Sequence, residues 1–259
     1  MAKVLLEVKQ LAKHFVIGQN SFSNKQIIHA LKGINFQLHE NEVLGLIGES
    51  GSGKSTVANI VLKLLNPSMG TVYLFDKEIT HLSEKDMRKH RKDLQIIFQY
   101  THNVLDPKMT IEELLIEPLK IHKIVPNEQL TSEVDRLLGL VGLAKSEKLK
   151  LPSEISGGQV QRVIIARAIA TRPRIIVCDE PVSALDVSVQ GQILNLLARL
   201  KNDMNLTYLF ISHDLKVIKH ICDRIAVMYQ GEIVEIGQTE QILHNPKEEY
   251  TKMLVESKL

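Results

Sequence analysis

The segment Gly48-Glu49-Ser50-Gly51-Ser52-Gly53-Lys54-Ser55 constrains this chain more than any other. It follows VLGLI (43–47), a continuous apolar run of the kind that forms a strand buried on both faces. After it comes an apolar-periodic stretch, Thr56 to Leu65, which reads as a helix stopped by Asn66-Pro67. Strand, glycine-bearing turn and helix in that order match G-x-x-x-x-G-K-[ST] in full. Glycines let the backbone curl and bring its N–H groups to a phosphate. The helix start adds partial positive charge. Lys54 would neutralise β- and γ-phosphates, Ser55 would offer its hydroxyl to Mg2+, and Thr56 closes the candidate binding segment.

The rest of the chain fits an α/β reading. Residues 4–9 and 34–48, TVYLF (71–75) and LQIIF (94–98) read as strands. So do RIIVCDE (174–180), LTYLFISH (206–213), DRIAVMY (223–229) and EIVEIG (232–237). Helices are expected at about 188–203 and 214–220. From about 86 to 168 the pattern is mostly helical, and IEELLIEPLKI and VDRLLGLVGL carry apolar residues three and four apart. Alternating strands and helices argue for a mainly parallel core with ligands at the carboxyl ends of the strands. Asp179 and Glu180 end one such strand: phosphoryl chemistry needs one carboxylate for the metal shell and one group to orient and deprotonate water. Ser156-Gly157-Gly158-Gln159 places small residues at a helix start, where N–H groups stay open to a phosphate.

The 259 residues carry a net charge of +2, too small by itself to argue for a nucleic-acid or lipid surface. No apolar run is long enough to span a membrane, and the N-terminus lacks the apolar stretch of a signal peptide. Cys178 and Cys222 lack metal-type spacing and read as reduced cysteines.

With these segments in order, the chain resembles the ATPase subunits of ABC transporters. Ser156 to Gln159, followed by Gln161-Arg162, is similar to the family signature LSGGQ-x-QR, with Ile155 in place of the leucine. The resemblance covers about 4–255. It implies a P-loop NTPase (RecA-like) α/β core with an antiparallel β subdomain and an inserted α-helical subdomain, all one ABC ATPase domain over 1–259. The core would be 1–99 with 166–240, the helical lobe 100–165 and a short helical tail 241–259. ATP and Mg2+ are the implied ligands. Gln99 is similar to the Q-loop glutamine near metal and water, Asp179 to the metal-shell acid, and Glu180 to the general base. Asp186, in Ser183-Ala184-Leu185-Asp186, is similar to the D-loop, and His213 to the switch histidine. Phe15 is either the adenine-stacking aromatic or a core phenylalanine. Ser156, Gly157, Gly158 and Gln159 would contact the γ-phosphate held by a second subunit.

GLIGESGSGKST, DEPVSALDVSVQGQILNLL and VMYQGEIVEIG resemble the ATPases of the peptide and nickel importer group. NPKEEYTKMLVES is similar to that group's HPYT-K-LL ending, although the chain stops at Leu259 without a cysteine-containing tail, which leaves room for a dipeptide, nickel or metal-chelate importer. The implied partners are a second ABC ATPase subunit in a heterodimer, two transmembrane permease subunits and an extracytoplasmic substrate-binding protein, with no nucleic acid. The implied place is the cytoplasmic face of the membrane, peripherally bound. The alternatives are an exporter's ATPase and a soluble ABC ATPase acting on DNA or ribosomes, although no heptad insertion and no second P-loop is present. A P-loop kinase outside the family leaves Ser156–Gln159 and His213 without a place.

Overall fold

The computed structural model describes residues 3–17, 26–98 and 104–258. Gln99 lies outside them. The chain divides into two compact units, Met1–Arg88 with Thr207–Leu259, and Lys89–Leu206.

The first unit opens with two long antiparallel strands, β1 (Val4–Ile17) and β2 (Gln26–His39). Then come β3 (Val43–Ile47), α1 (Lys54–Val61), β4 (Met69–Leu74), β5 (Lys77–Glu78) and the one-turn α2 (Glu84–Met87). The second unit holds β6 (Leu94–Ile97), α3 (Ile111–Ile121), α4 (Leu130–Leu140), α5 (Gly157–Ile169), β7 (Ile175–Asp179) and α6 (Val187–Met204). The chain returns to the first unit with β8 (Thr207–Ile211), α7 (Leu215–Ile221), β9 (Arg224–Tyr229), β10 (Glu232–Gln238), α8 (Thr239–His244) and α9 (Glu249–Lys258).

In the first unit β2-β1-β4-β5 form an antiparallel sheet. β3 lies between β8 and β9, parallel to both, and β10 pairs antiparallel with β9. Every residue of β3 and β8 is buried, as their unbroken apolar runs require. The entry to β3 is pinned by a polar cluster. Buried Glu42 accepts from Arg224 Nη1 at 2.8 Å and from the His39 N–H at 2.7 Å, and Asp223 Oδ2 accepts from the Val43 N–H at 2.8 Å. In the second unit β6 and β7 are parallel. The helices bury regular stripes there: Leu114, Leu115 and Leu119 on α3, Val134, Leu137 and Leu138 on α4. A capping box starts α3, with Thr110 Oγ1 accepting from the Glu113 N–H and Glu113 Oε2 from the Thr110 N–H.

Three expectations are corrected. The first strand runs to Ile17 and not to residue 9, because Gln10 sits at φ 49° and makes a bulge that interrupts the apolar alternation. Residues 34–48 are not one strand: the chain turns at residues 40–41, with Asn41 at φ 60°, and separates β2 from β3. The helix expected over Thr56–Leu65 starts two residues earlier, at Lys54, and ends at Val61; Lys63 turns left-handed at φ 56°, ahead of Asn66-Pro67.

Candidate nucleotide-binding and catalytic site

Gly48–Ser55 join β3 to α1. Their glycines act differently. A Cβ at Gly48 would lie 2.2 Å from the Met228 carbonyl oxygen, and one at Gly53, at φ 106°, 2.6 Å from that of Ala30. Backbone therefore passes directly behind the loop at both ends. At Gly51 (φ 82°) a Cβ would meet nothing within 4 Å, so the crest is open and needs glycine for its backbone angle alone. Gly53 is the N-cap of α1 without a side-chain cap, and no acid occupies the first turn, which suits an anion there. Ser52 and Lys54 are buried, whereas Glu49, Ser50 and Ser55 are exposed and Thr56 is half-buried. The Lys54 ammonium donates to the carbonyls of Gly48 (2.8 Å) and Glu49 (2.7 Å), which hold it against the loop.

His213 is exposed in the turn between β8 and α7. Because Leu46 of β3 registers with Ile211 of β8 in a parallel pair, the loop and His213 leave the sheet at the same end. Asp214 caps α7 by accepting from the Lys216 N–H at 2.8 Å, which sets the turn that carries the histidine. Phe15 is not a core residue: it is 38% exposed on β1, opposite Ile28, with Lys13 Nζ 5.2 Å from its ring centroid.

In the second unit Asp179 ends β7 and Glu180 comes next at φ 49°. The Glu180 carbonyl accepts from the Ser183 N–H at 3.4 Å and from Ser183 Oγ at 3.1 Å, a turn that fixes the strained backbone beneath the carboxylate. Both acids are half-buried. Ser55 and Asp179 offer a hydroxyl and a carboxylate, hard oxygen donors of the type Mg2+ takes.

Ser156 is the N-cap of α5, in a reciprocal capping box with Gln159: its N–H donates to Gln159 Oε1 at 2.9 Å and its Oγ accepts from the Gln159 N–H at 3.4 Å. Gly158 admits α6, since a Cβ there would lie 2.7 Å from Val189 Cγ1. That approach brings Asp186, the exposed N-cap of α6, to the same concavity of about 310 Å3 as Ser156, Gly157, Gly158 and Gln159. Arg162 ties the arrangement to α4 through the Val141 carbonyl at 2.6 Å.

Sequence reasoning missed Tyr250, whose hydroxyl oxygen accepts from the Glu49 N–H at 3.3 Å. The signal lay in NPKEEYTKM, which matches a family ending without assigning its tyrosine a role. The cysteines lie outside this chemistry. Both are buried and neither forms a disulfide, and Gly45 is glycine because a Cβ there would lie 2.8 Å from Cys222 Sγ. Burial, then the neighbouring Asp179 charge, pushes the Cys178 thiol far up. In the folded chain a thiol reagent at pH 8 should modify Cys178 at least about 100-fold more slowly than in urea, because the thiolate is the reactive form and only opening exposes it; peptide mapping of the labelled chain checks this.

A parallel strand ending in a glycine-rich lysine loop at a helix start, with a strand-end histidine beside it, defines a P-loop nucleoside-triphosphatase. The comparisons with known proteins narrow that class. The ABC transporter family model matches residues 31–183. The chain is 44% identical over 254 residues to "Putative oligopeptide transport ATP-binding protein YkfD" of Bacillus subtilis (strain 168), covering 98% of this chain and 76% of that one. It is 43% identical over 254 residues to "Oligopeptide transport ATP-binding protein OppF" of Streptococcus mutans serotype c (strain ATCC 700610 / UA159), covering 98% and 81%. Among solved structures, the ATP-binding cassette MJ0796, a dimer in a post-hydrolysis state bound to ADP and Pi, superposes with a TM-score of 0.78 at 30% identity, covering 91% of this chain and 99% of that one. The chain belongs to the ABC transporter family. It is an ATP-binding, ATP-hydrolysing member with the P-loop α/β fold.

Proposed function

We propose that the chain is the ATPase subunit of an importer that takes up peptides. The observation that carries this is that one chain holds both a phosphate loop and a second open helix start, Ser156–Gln159 beside Asp186. The second surface serves no purpose within a self-contained kinase. It fits a γ-phosphate held by another ATPase subunit, so two subunits would close on two ATP molecules. Cargo and direction are taken from the relatives, which are named for oligopeptide transport. We assign a similar but distinct ATPase chain as the partner, together with two permease subunits and a substrate-binding protein outside the membrane.

In this mechanism Gly48–Thr56 hold the triphosphate, Lys54 offsets its charge and Phe15 stacks on adenine. Ser55 and Asp179 would hold Mg2+, which would supply charge neutralisation on the phosphates, and Gln99 is proposed as a further ligand from its place in the sequence. Glu180 orients the attacking water and takes its proton. His213 contacts the γ-phosphate.

No helix among the described residues is long and apolar enough to cross a membrane, and we assign the work on a membrane to a partner. A cavity of about 540 Å3 in the second unit is suited to that. Phe98 (40% exposed), Leu105, Ile121 (67% exposed) and Pro118 form its apolar wall, and the Glu117–Arg167 ion pair (2.6 Å) forms its rim. We assign it to a short helix of a permease at the cytoplasmic face of the membrane. Ile121→Glu, an exposed change that costs the fold little, should leave ATP hydrolysis by the isolated chain unaltered and cut transport by the assembled importer about tenfold. Uptake assays beside isolated ATPase assays check it.

The test of the whole reading is cargo uptake by cells carrying the intact chain or Glu180→Gln, offered labelled di- and oligopeptides and, separately, nickel or cobalt with and without a chelator. Loss of peptide uptake alone is expected. Loss of metal uptake alone would move the cargo to a metal chelate, and loss of neither would remove the import assignment.

A further inference from the structure

The terminal helix reaches back to the phosphate loop. Tyr250 on α9 accepts a hydrogen bond from the Glu49 N–H, 201 residues away in the chain, and its ring stacks on Tyr229 with centroids 4.1 Å apart and planes 29° from parallel. Tyr229 ends β9 just before a turn already bonded to the loop: the Gly231 N–H donates to the Ser52 carbonyl at 3.1 Å, and Gln230 Nε2 donates to the Tyr229 hydroxyl at 3.0 Å. The start of α9 is held in turn by β10, where the Glu235 carboxylate accepts from the N–H groups of Lys247 (3.0 Å) and Glu248 (3.2 Å). Burial pushes the Glu235 carboxyl up, but those N–H groups and the Lys247 charge outweigh it and keep the group below its usual range, so it is an anion at neutral pH. Burial also pushes the Tyr250 phenol up, so it stays a neutral hydroxyl.

Glu49 is the residue on which this converges. Its side chain is exposed, its carbonyl takes the Lys54 ammonium at 2.7 Å and the Ser52 N–H at 3.2 Å, and its own N–H goes to Tyr250. That N–H shares a peptide plane with the Gly48 carbonyl, which accepts from Lys54 at 2.8 Å, so fixing it aims that carbonyl at the ammonium.

We infer that Tyr250 is a positioning residue for nucleotide binding, acting through Glu49 and Lys54, and that α9 is a latch which presets the phosphate loop. A preset loop loses less freedom when phosphate binds, so the latch appears in affinity and not in the chemical step. The inference rests on the ATPase reading.

Tyr250→Phe keeps the stack and removes the acceptor. The Kd for a fluorescent ATP analogue and the KM for ATP should rise about fivefold, with kcat within about twofold and Tm within about 2 °C, as for the loss of one modest hydrogen bond. Tyr250→Leu should show the same rise in Kd together with a lower Tm, because the stack goes as well. Tyr229→Phe keeps the stack and the Glu49 contact and should bind nucleotide as the intact chain does. Equal Kd for the intact chain and Tyr250→Phe would overturn the latch alone, as would a fall in kcat at unchanged Kd. An intact chain that binds no nucleotide would instead overturn the ATPase reading and the latch with it.

Discussion

Glu180→Gln should bind ATP within about twofold of the intact chain while its turnover falls by about 10²- to 10⁴-fold, the range that a lost general base costs. Glutamine keeps the length and shape of glutamate. The carbonyl contacts of Glu180 to Ser183 belong to the backbone and survive the exchange, so the φ of 49° that aims the side chain is kept. Only the basic carboxylate is lost. Steady-state phosphate release, read beside analogue binding and Tm, separates the two effects. Hydrolysis at the normal rate would sink the general-base assignment and return that role to another group.

Lys54→Ala has the opposite signature. Lys54 is only 6% exposed, and its ammonium is held against the loop by the Gly48 and Glu49 carbonyls. Charge-assisted hydrogen bonds contribute about 1.5–3 kcal/mol each. Losing those to the β- and γ-phosphates should weaken ATP binding by about 10²-fold, with hydrolysis lost in step, since tenfold corresponds to about 1.4 kcal/mol. Titration of the purified variant with a fluorescent ATP analogue measures it. An unchanged affinity would count against the phosphate-cradle reading. The two variants together separate holding the nucleotide from attacking it.

Much of the site was legible because its chemistry is local. A phosphate cradle is eight contiguous residues whose shape comes from their own backbone angles, so VLGLI, the glycines, Lys54 and Ser55 announce it in one line of sequence. The Ser156–Gln159 cap is also local, three residues from donor to acceptor. Asp179, Glu180 and His213 are readable because each follows an apolar run, and a buried parallel strand presents polar residues where its own carboxyl end leaves the sheet. The element boundaries that went astray were disturbed by single backbone angles, at Gln10, Asn41 and Lys63, which no apolar period records.

The sequence by itself thus determined the family and the order of the nucleotide segments, and it named the candidate side chains for the chemistry. Tertiary structure alone decided what stands behind them. Gly48 and Gly53 are glycine partly because the carbonyls of Met228 and Ala30 press on the loop, Gly158 because Val189 does, and Gly45 because Cys222 does. The tyrosine that holds Glu49 comes from 201 residues away. Such contacts join segments whose separation along the chain has no period and no motif. They exist only once the sheet has brought distant backbones within van der Waals reach, and for that reason the reactive groups were visible in the sequence while their supports were not.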